Sequence, residues 1–112
     1  MSSVEPRKGE KLILQEDCAE DVFKNGILSL TNQRLIFEET EGTLATLSKT
    51  TGDLLLDIPL DQISSVEAKG FLIKKIIIHT INNDIYKFGV FDTSKWKKEI
   101  ENSKINYNSK NN

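Results

Sequence analysis

The stretch "GILSLTNQRLIFEE", Gly26 to Glu39, holds two short apolar runs on either side of Asn32-Gln33. A two-residue turn there pairs Thr31 with Arg34, Leu30 with Leu35 and Leu28 with Phe37. This register places Leu28, Leu30, Leu35 and Phe37 on one face of a ribbon. Ser29 and Glu38 fall on the other face, with Ile27 and Ile36 as partial exceptions. Asparagine tolerates the left-handed backbone that such turns require, although Asn-Gln is a weaker signal than Asn-Gly. A slip of one residue would scatter the apolar face, so the pattern itself selects the pairing.

Working outward, Lys11 to Asp17 with "LIL" reads as a first strand, and the acidic "QEDCAED" leads through Phe23 to a turn at Asn25-Gly26. "TEGTLATLSKTTGD" is polar and poorly periodic, a loose hairpin or long loop. In "DLLLDIPLDQISSVEAKG", Pro59 cannot donate to a ladder and marks an edge or a strand end. Ile63, Val66 and Ala68 feed the next strand, which Gly70 closes. "LIKKIIIHTINNDIYKFGVF" is the most β-prone segment, with Asn82-Asn83-Asp84 as its turn. A three-residue loop there pairs Ile81 with Ile85, Ile78 with Phe88 and Ile76 with Val90. Ile76, Ile78, Tyr86, Phe88 and Val90 then share a face, and His79 and Lys87 point outward together.

After Phe91 the period changes. "DTSKWKKEIENSK" opens with Asp92 or Thr93 as N-cap, and Trp96 and Ile100 follow four apart. This predicts one amphipathic helix over 93–103, followed by a polar tail. Six or seven strands and one terminal helix make a mostly β, α+β domain whose bent sheet needs a covered end. The expected organisation is an N-terminal arm (1–9), the folded domain (10–104) and a flexible tail (105–112).

At 112 residues there is room for one domain only. The hydrophobic fraction is 38%, the charged fraction 29% and the net charge −2, which gives no general bias toward nucleic acid or anionic membrane. Charge is uneven along the chain. Glu5 to Asp21 holds six acids and three bases, whereas Lys69 to Lys98 holds seven lysines against Asp84 and Asp92. A single cysteine, Cys18, excludes an internal disulfide and suits a reducing compartment. The first residues lack the apolar run of a signal peptide. The longest apolar runs are three residues, such as Leu54 to Leu56, so any membrane contact is expected to be peripheral.

Glycine, alternating leucines, "LTN", a basic residue and "LIF" together resemble the signature of GRAM domains, part of the PH-like superfold. The residues are Gly26, Leu28, Leu30-Thr31-Asn32 and Arg34-Leu35-Ile36-Phe37. "DIPLDQISSVEAKG", "IIIHT", "IYKFGVF" and a helix carrying Trp96 continue the likeness in order, over about residues 10 to 103. The resemblance implies a partly open barrel of about seven antiparallel strands, capped by one C-terminal helix. It also implies a non-catalytic module that docks on phosphoinositide membranes or on proteins. The GLUE offshoot, found in the ESCRT-II sorting complex, is similar too and binds ubiquitin as well as lipid. Fold-level likeness sets only a prior for function.

The chemistry of individual residues narrows this further. His79 is the only histidine and sits in an expected strand, and no nucleophile elbow or phosphate-cradling loop is present. Cys18 lies among acids, which raise a thiol pKa. "QEDCAED" lacks the spacing of a calcium loop. No enzyme, cofactor or metal site is expected. Nucleic acid is not an expected partner, since Arg34 is the only arginine in the expected fold and basic residues are not interleaved with aromatics. A small-molecule substrate is not expected either.

In many PH domains lysines and arginines on and after the first strand grip phosphates. Here that stretch is acidic, with only Lys24, so the carry-over fails. A second lipid route is the set Lys69, Phe71, Leu72, Lys74 and Lys75, where "FLI" is either an apolar tip or core. For protein docking the candidates are Ile77, His79, Ile81, Ile85 and Lys87, an outer face more apolar than solvent favours. The same face would be the interior if the register were off by one. The expectation is a cytoplasmic recognition module, peripheral to a membrane at most. Its lead partner is a protein, ubiquitin or another trafficking component, and the alternative partner is an anionic lipid headgroup.

Overall fold

The structure is a computed structural model that describes residues 5–22, 24–41, 50–70 and 72–110. Its strands are β1 (Leu12–Glu20), β2 (Lys24–Thr31), β3 (Arg34–Glu41), β4 (Thr50–Pro59), β5 (Ile63–Lys69), β6 (Lys75–Thr80) and β7 (Ile85–Gly89). A single 3-10 turn (Leu60–Gln62) joins β4 to β5, and helix α1 runs over Thr93–Lys110. The seven strands form one antiparallel sheet in the order β4-β3-β2-β1-β7-β6-β5. This is the PH-like, mostly β arrangement with one C-terminal α-helix. Among the described residues no helix is long and apolar enough to cross a membrane.

The β2–β3 hairpin has the expected register, with Leu28 opposite Phe37 and Leu30 opposite Leu35. All four side chains are buried and join Ile58, Leu60, Ile63, Val66, Ile76, Ile78, Phe88 and Val90 in one core. In a flat sheet β3 and β7, three strand spacings apart, would be separated by about 14 Å. The Phe37 and Phe88 rings instead meet edge to face with centroids 5.2 Å apart. The sheet has therefore curled until its inner faces touch. Trp96 and Ile100 of α1 are buried in that core, as the helix spacing predicts.

Four sequence expectations are corrected. All of "QEDCAED" but Asp21 is part of strand β1, which runs on to Glu20. Asn25-Gly26 is no turn but lies inside β2, where Gly26 pairs with Cys18 and Glu39. A Cβ at Gly26 would stand 2.5 Å from both the Phe37 ring and the Glu38 carbonyl, so the residue is glycine because Phe37 lies across it. The β6–β7 register also differs, with Ile76 opposite Phe88, Ile78 opposite Tyr86 and His79 opposite Ile85. The three-residue loop is Ile81-Asn82-Asn83, with Asn83 donating to the Thr80 carbonyl and adopting φ 69°. A type I turn closed by a left-handed residue explains the choice, since Asn83 accepts that conformation readily. The shift is two residues, so every side chain keeps its expected face.

The fourth correction is the helix, which ends at Lys110 rather than near 103. Ser103 is buried and Tyr107 packs on the core, extending the stripe of Trp96 and Ile100 by two more turns. Serine and tyrosine hid that stripe from a search for aliphatic periodicity. Of the loose hairpin or long loop expected over 40–53, Thr40-Glu41 instead end β3 and Thr50 to Asp53 open β4, and 42–49 lie outside the described residues.

Candidate docking surfaces

One rim of the barrel is formed where the β5–β6 turn meets the β7–α1 junction. In the turn, Gly70 has φ +104°, and a Cβ there would collide with the Ile73 carbonyl. The turn consequently lifts Leu72 and Ile73 out of the core, to 90% and 73% exposure. "FLI" is thus a tip rather than core at these two positions, and Phe71 lies outside the described residues. At the junction, Val90 turns inward and Phe91 stands 88% exposed.

Glu16 of β1 holds this junction. It accepts the Phe91 N–H at 2.6 Å and the Trp96 indole N–H at 3.0 Å. Asp92 then caps α1, accepting the Lys95 N–H at 3.0 Å. Leu72, Lys74, Val90, Phe91 and the first residues of α1 line a shallow hollow of about 500 Å³. Lys74 lines it, and Lys69 at the end of β5 and Lys95 in the first turn of α1 are exposed on the flanking segments. Of the residues expected to meet lipid, Leu72 and Lys74 line the hollow together, while Lys69 lies 4.0 Å from Glu67. Lys75 is drawn off to Asp21, at 2.5 Å. Phe91 was missed; the available signal was an aromatic directly before a helix cap, out of step with the inward Val90.

A second surface is the outer side of β5–β6–β7. Ile77 pairs with Lys87 and His79 with Ile85 across the hairpin, so four of the expected protein-docking residues share a face, and Ile81 sits in the turn that follows β6. They are not interior, because Ile76 and Ile78 fill the inner positions. Ile77 and His79 are half-buried, Lys87 is exposed, and Ile81 and Ile85 are about half exposed. His79 Nε2 lies 2.8 Å from Glu67 Oε2, and this contact, with Lys69 nearby, holds the Glu67 carboxyl below its ordinary range. Val22, 75% exposed, extends the apolar area beside Ile85 and Lys87.

The third feature is the hairpin corner Thr31-Asn32-Gln33-Arg34, expected as a turn but with contacts to the N-terminal segment that the sequence does not announce. Asn32 donates to the Gly9 carbonyl and accepts the Lys11 N–H, and Gln33 donates to the Lys8 carbonyl. Arg34 grips Glu10 through Nε and Nη2 at 2.8 and 3.0 Å, and Asp57 through Nη1 at 2.8 Å. Thr31 Oγ1 donates to Glu10 as well. Residues 5–11 are thereby clasped against the sheet. The hydrogen bonds from Arg34 pull the Glu10 carboxyl down to about 2. With its donors taken, Arg34 is a clasp and not an open anion site. Burial, then Glu16 and Asp17, push the Cys18 thiol up to about 12, which leaves it unreactive.

The profile of the bacterial PH domain family matches residues 7–106. The chain belongs to that family. Among solved structures it is similar to a Vps36 N-terminal PH domain, with 19% identity, a TM-score of 0.67, and coverage of 92% of this chain and 85% of that one. At this identity the likeness speaks for the fold. A comparison with curated proteins returns no match. PH-like domains are typically non-catalytic binding modules.

Proposed function

We propose that this PH domain is a docking module that attaches to an anionic membrane surface through the rim of the β5–β6 turn and the β7–α1 junction. The observation that carries this reading is the exposure of Leu72, Ile73 and Phe91 together, at 73–90%, beside exposed lysines. Burying one large apolar side chain contributes about 1.5–3 kcal/mol. A lysine near an anionic surface contributes about 1 kcal/mol. The sequence alone favours a protein partner; the exposed tip moves the membrane ahead. Sedimentation with phosphatidylserine-containing vesicles is the test. Binding is expected, and a protein that stays in the supernatant at every lipid concentration would overturn the proposal.

A protein-docking reading has its own support in the apolar outer face of β6–β7, where Val22, Ile81 and Ile85 are exposed near Lys87. The resemblance to GRAM domains and their GLUE offshoot makes ubiquitin the first partner to try. Titration of labelled domain with ubiquitin should shift resonances of Ile81, Ile85 and Lys87, and flat spectra at millimolar ubiquitin would remove this reading.

A further inference from the structure

Resting on the membrane reading above, we infer that this domain binds bilayers by wedging Leu72, Ile73 and Phe91 between lipids, without selecting a headgroup. Headgroup selection needs several cations converging on one phosphate cluster. The rim does not provide them. Lys74 is the one cation among the described residues lining the hollow. Lys75 is paired with Asp21, and Lys69 stands 4.0 Å from Glu67, at the outer limit of an ion pair. Arg34 is consumed by Glu10 and Asp57. What remains is diffuse positive charge, which attracts any anionic surface and reads none in particular.

The wedge, in contrast, is built. Its two halves come from separate segments, each set by a local constraint: the left-handed Gly70 under Ile73, and the two hydrogen bonds that Glu16 accepts from the Phe91 and Trp96 N–H groups. Apolar groups held in place before binding lose less conformational freedom when they insert. Their exposure also has a cost in water that only an apolar partner removes. A bilayer of any anionic composition supplies that partner together with the charge that Lys74, and the exposed Lys69 and Lys95 on the flanking segments, complement.

The experiment compares vesicles of phosphatidylcholine alone with vesicles carrying equal negative charge as phosphatidylserine or as a phosphoinositide. The two anionic kinds are expected to bind within about twofold of each other, and both better than neutral vesicles. Leu72→Ser and Phe91→Ser should each weaken binding tenfold or more, while Lys74→Gln should weaken it about fivefold. Circular dichroism of each variant, expected unchanged, excludes unfolding. A preference above tenfold for one phosphoinositide at matched charge would overturn the inference and leave membrane docking standing. So would serine variants that bind as well as the parent. Absence of binding to all three vesicle types would remove the membrane reading itself, and the inference with it.

Discussion

The hairpin corner and the tip rim use opposite physics. At the corner, charge is gathered and satisfied: Arg34 and Glu10 are both 4% exposed and bonded to each other through two pairs of atoms. At the rim, apolar groups are exposed and charge is dispersed. A buried charge pair is costly to break, since removal of one partner leaves the other stranded in a poorly solvating site. An exposed apolar tip contributes little to folding and is therefore free to serve another purpose. Saturated polar groups mark the part of this molecule that holds the chain together. On the proposed reading, the exposed apolar surface is the part that meets a membrane.

That contrast can be broken most forcefully at Arg34. Arg34→Met would strand the Glu10 carboxylate and leave Asp57 only Arg7, 3.5 Å away, and should lower stability by about 3–5 kcal/mol. Chemical denaturation measures it, and a loss under 1 kcal/mol would mean the clasp is incidental. Next in size is acid. Glu10 is lowered from 4.5 to about 2 in the folded chain, so its contribution is present above pH 4.5 and is lost as pH falls toward 2. The lost part is about 3 kcal/mol. The stability of the parent should fall through that window more than that of Glu10→Gln, and parallel pH profiles would contradict the assignment.

Gly26→Ala sharpens the comparison within the hairpin by testing packing instead of an ion pair. Its Cβ would meet the Phe37 ring and the Glu38 backbone, at a cost of about 1–3 kcal/mol. Denaturation midpoints of the two variants would separate clasp from packing. The smallest expected effect lies at the rim, where Leu72→Ser should change stability by no more than about 0.5 kcal/mol. A large loss there would show that the tip belongs to the fold after all.

The Asn32-Gln33 hairpin was legible because both its strands alternate and a one-residue slip would invert the faces. The β6–β7 pairing was legible in its faces and not in its register. Ile76, Ile78, Phe88 and Val90 tolerate a shift of two, and only the left-handed Asn83 chooses between the alternatives. The outward set Ile77, His79, Ile85 and Lys87 was readable for the same reason. Arg34 was visible as a basic residue in a motif, but its partners are 23 and 24 positions away in opposite directions. No local pattern announces such a meeting. Phe91 and Leu72 are likewise nineteen residues apart, and the rim exists only where the two segments meet.

Hydrophobic periodicity, turn chemistry and a tryptophan-bearing helix settle the class of fold in one dimension, because each is a property of neighbours along the chain. Closure of the sheet belongs to three dimensions. It brought Phe37 onto Phe88, turned the signature Thr31-Asn32-Arg34 into a clasp for residues 5–11, and left Leu72, Ile73 and Phe91 facing outward. Which apolar side chains are covered depends on what the curled sheet and its helix can reach, and that reach is set by packing between distant segments rather than by any order of residues.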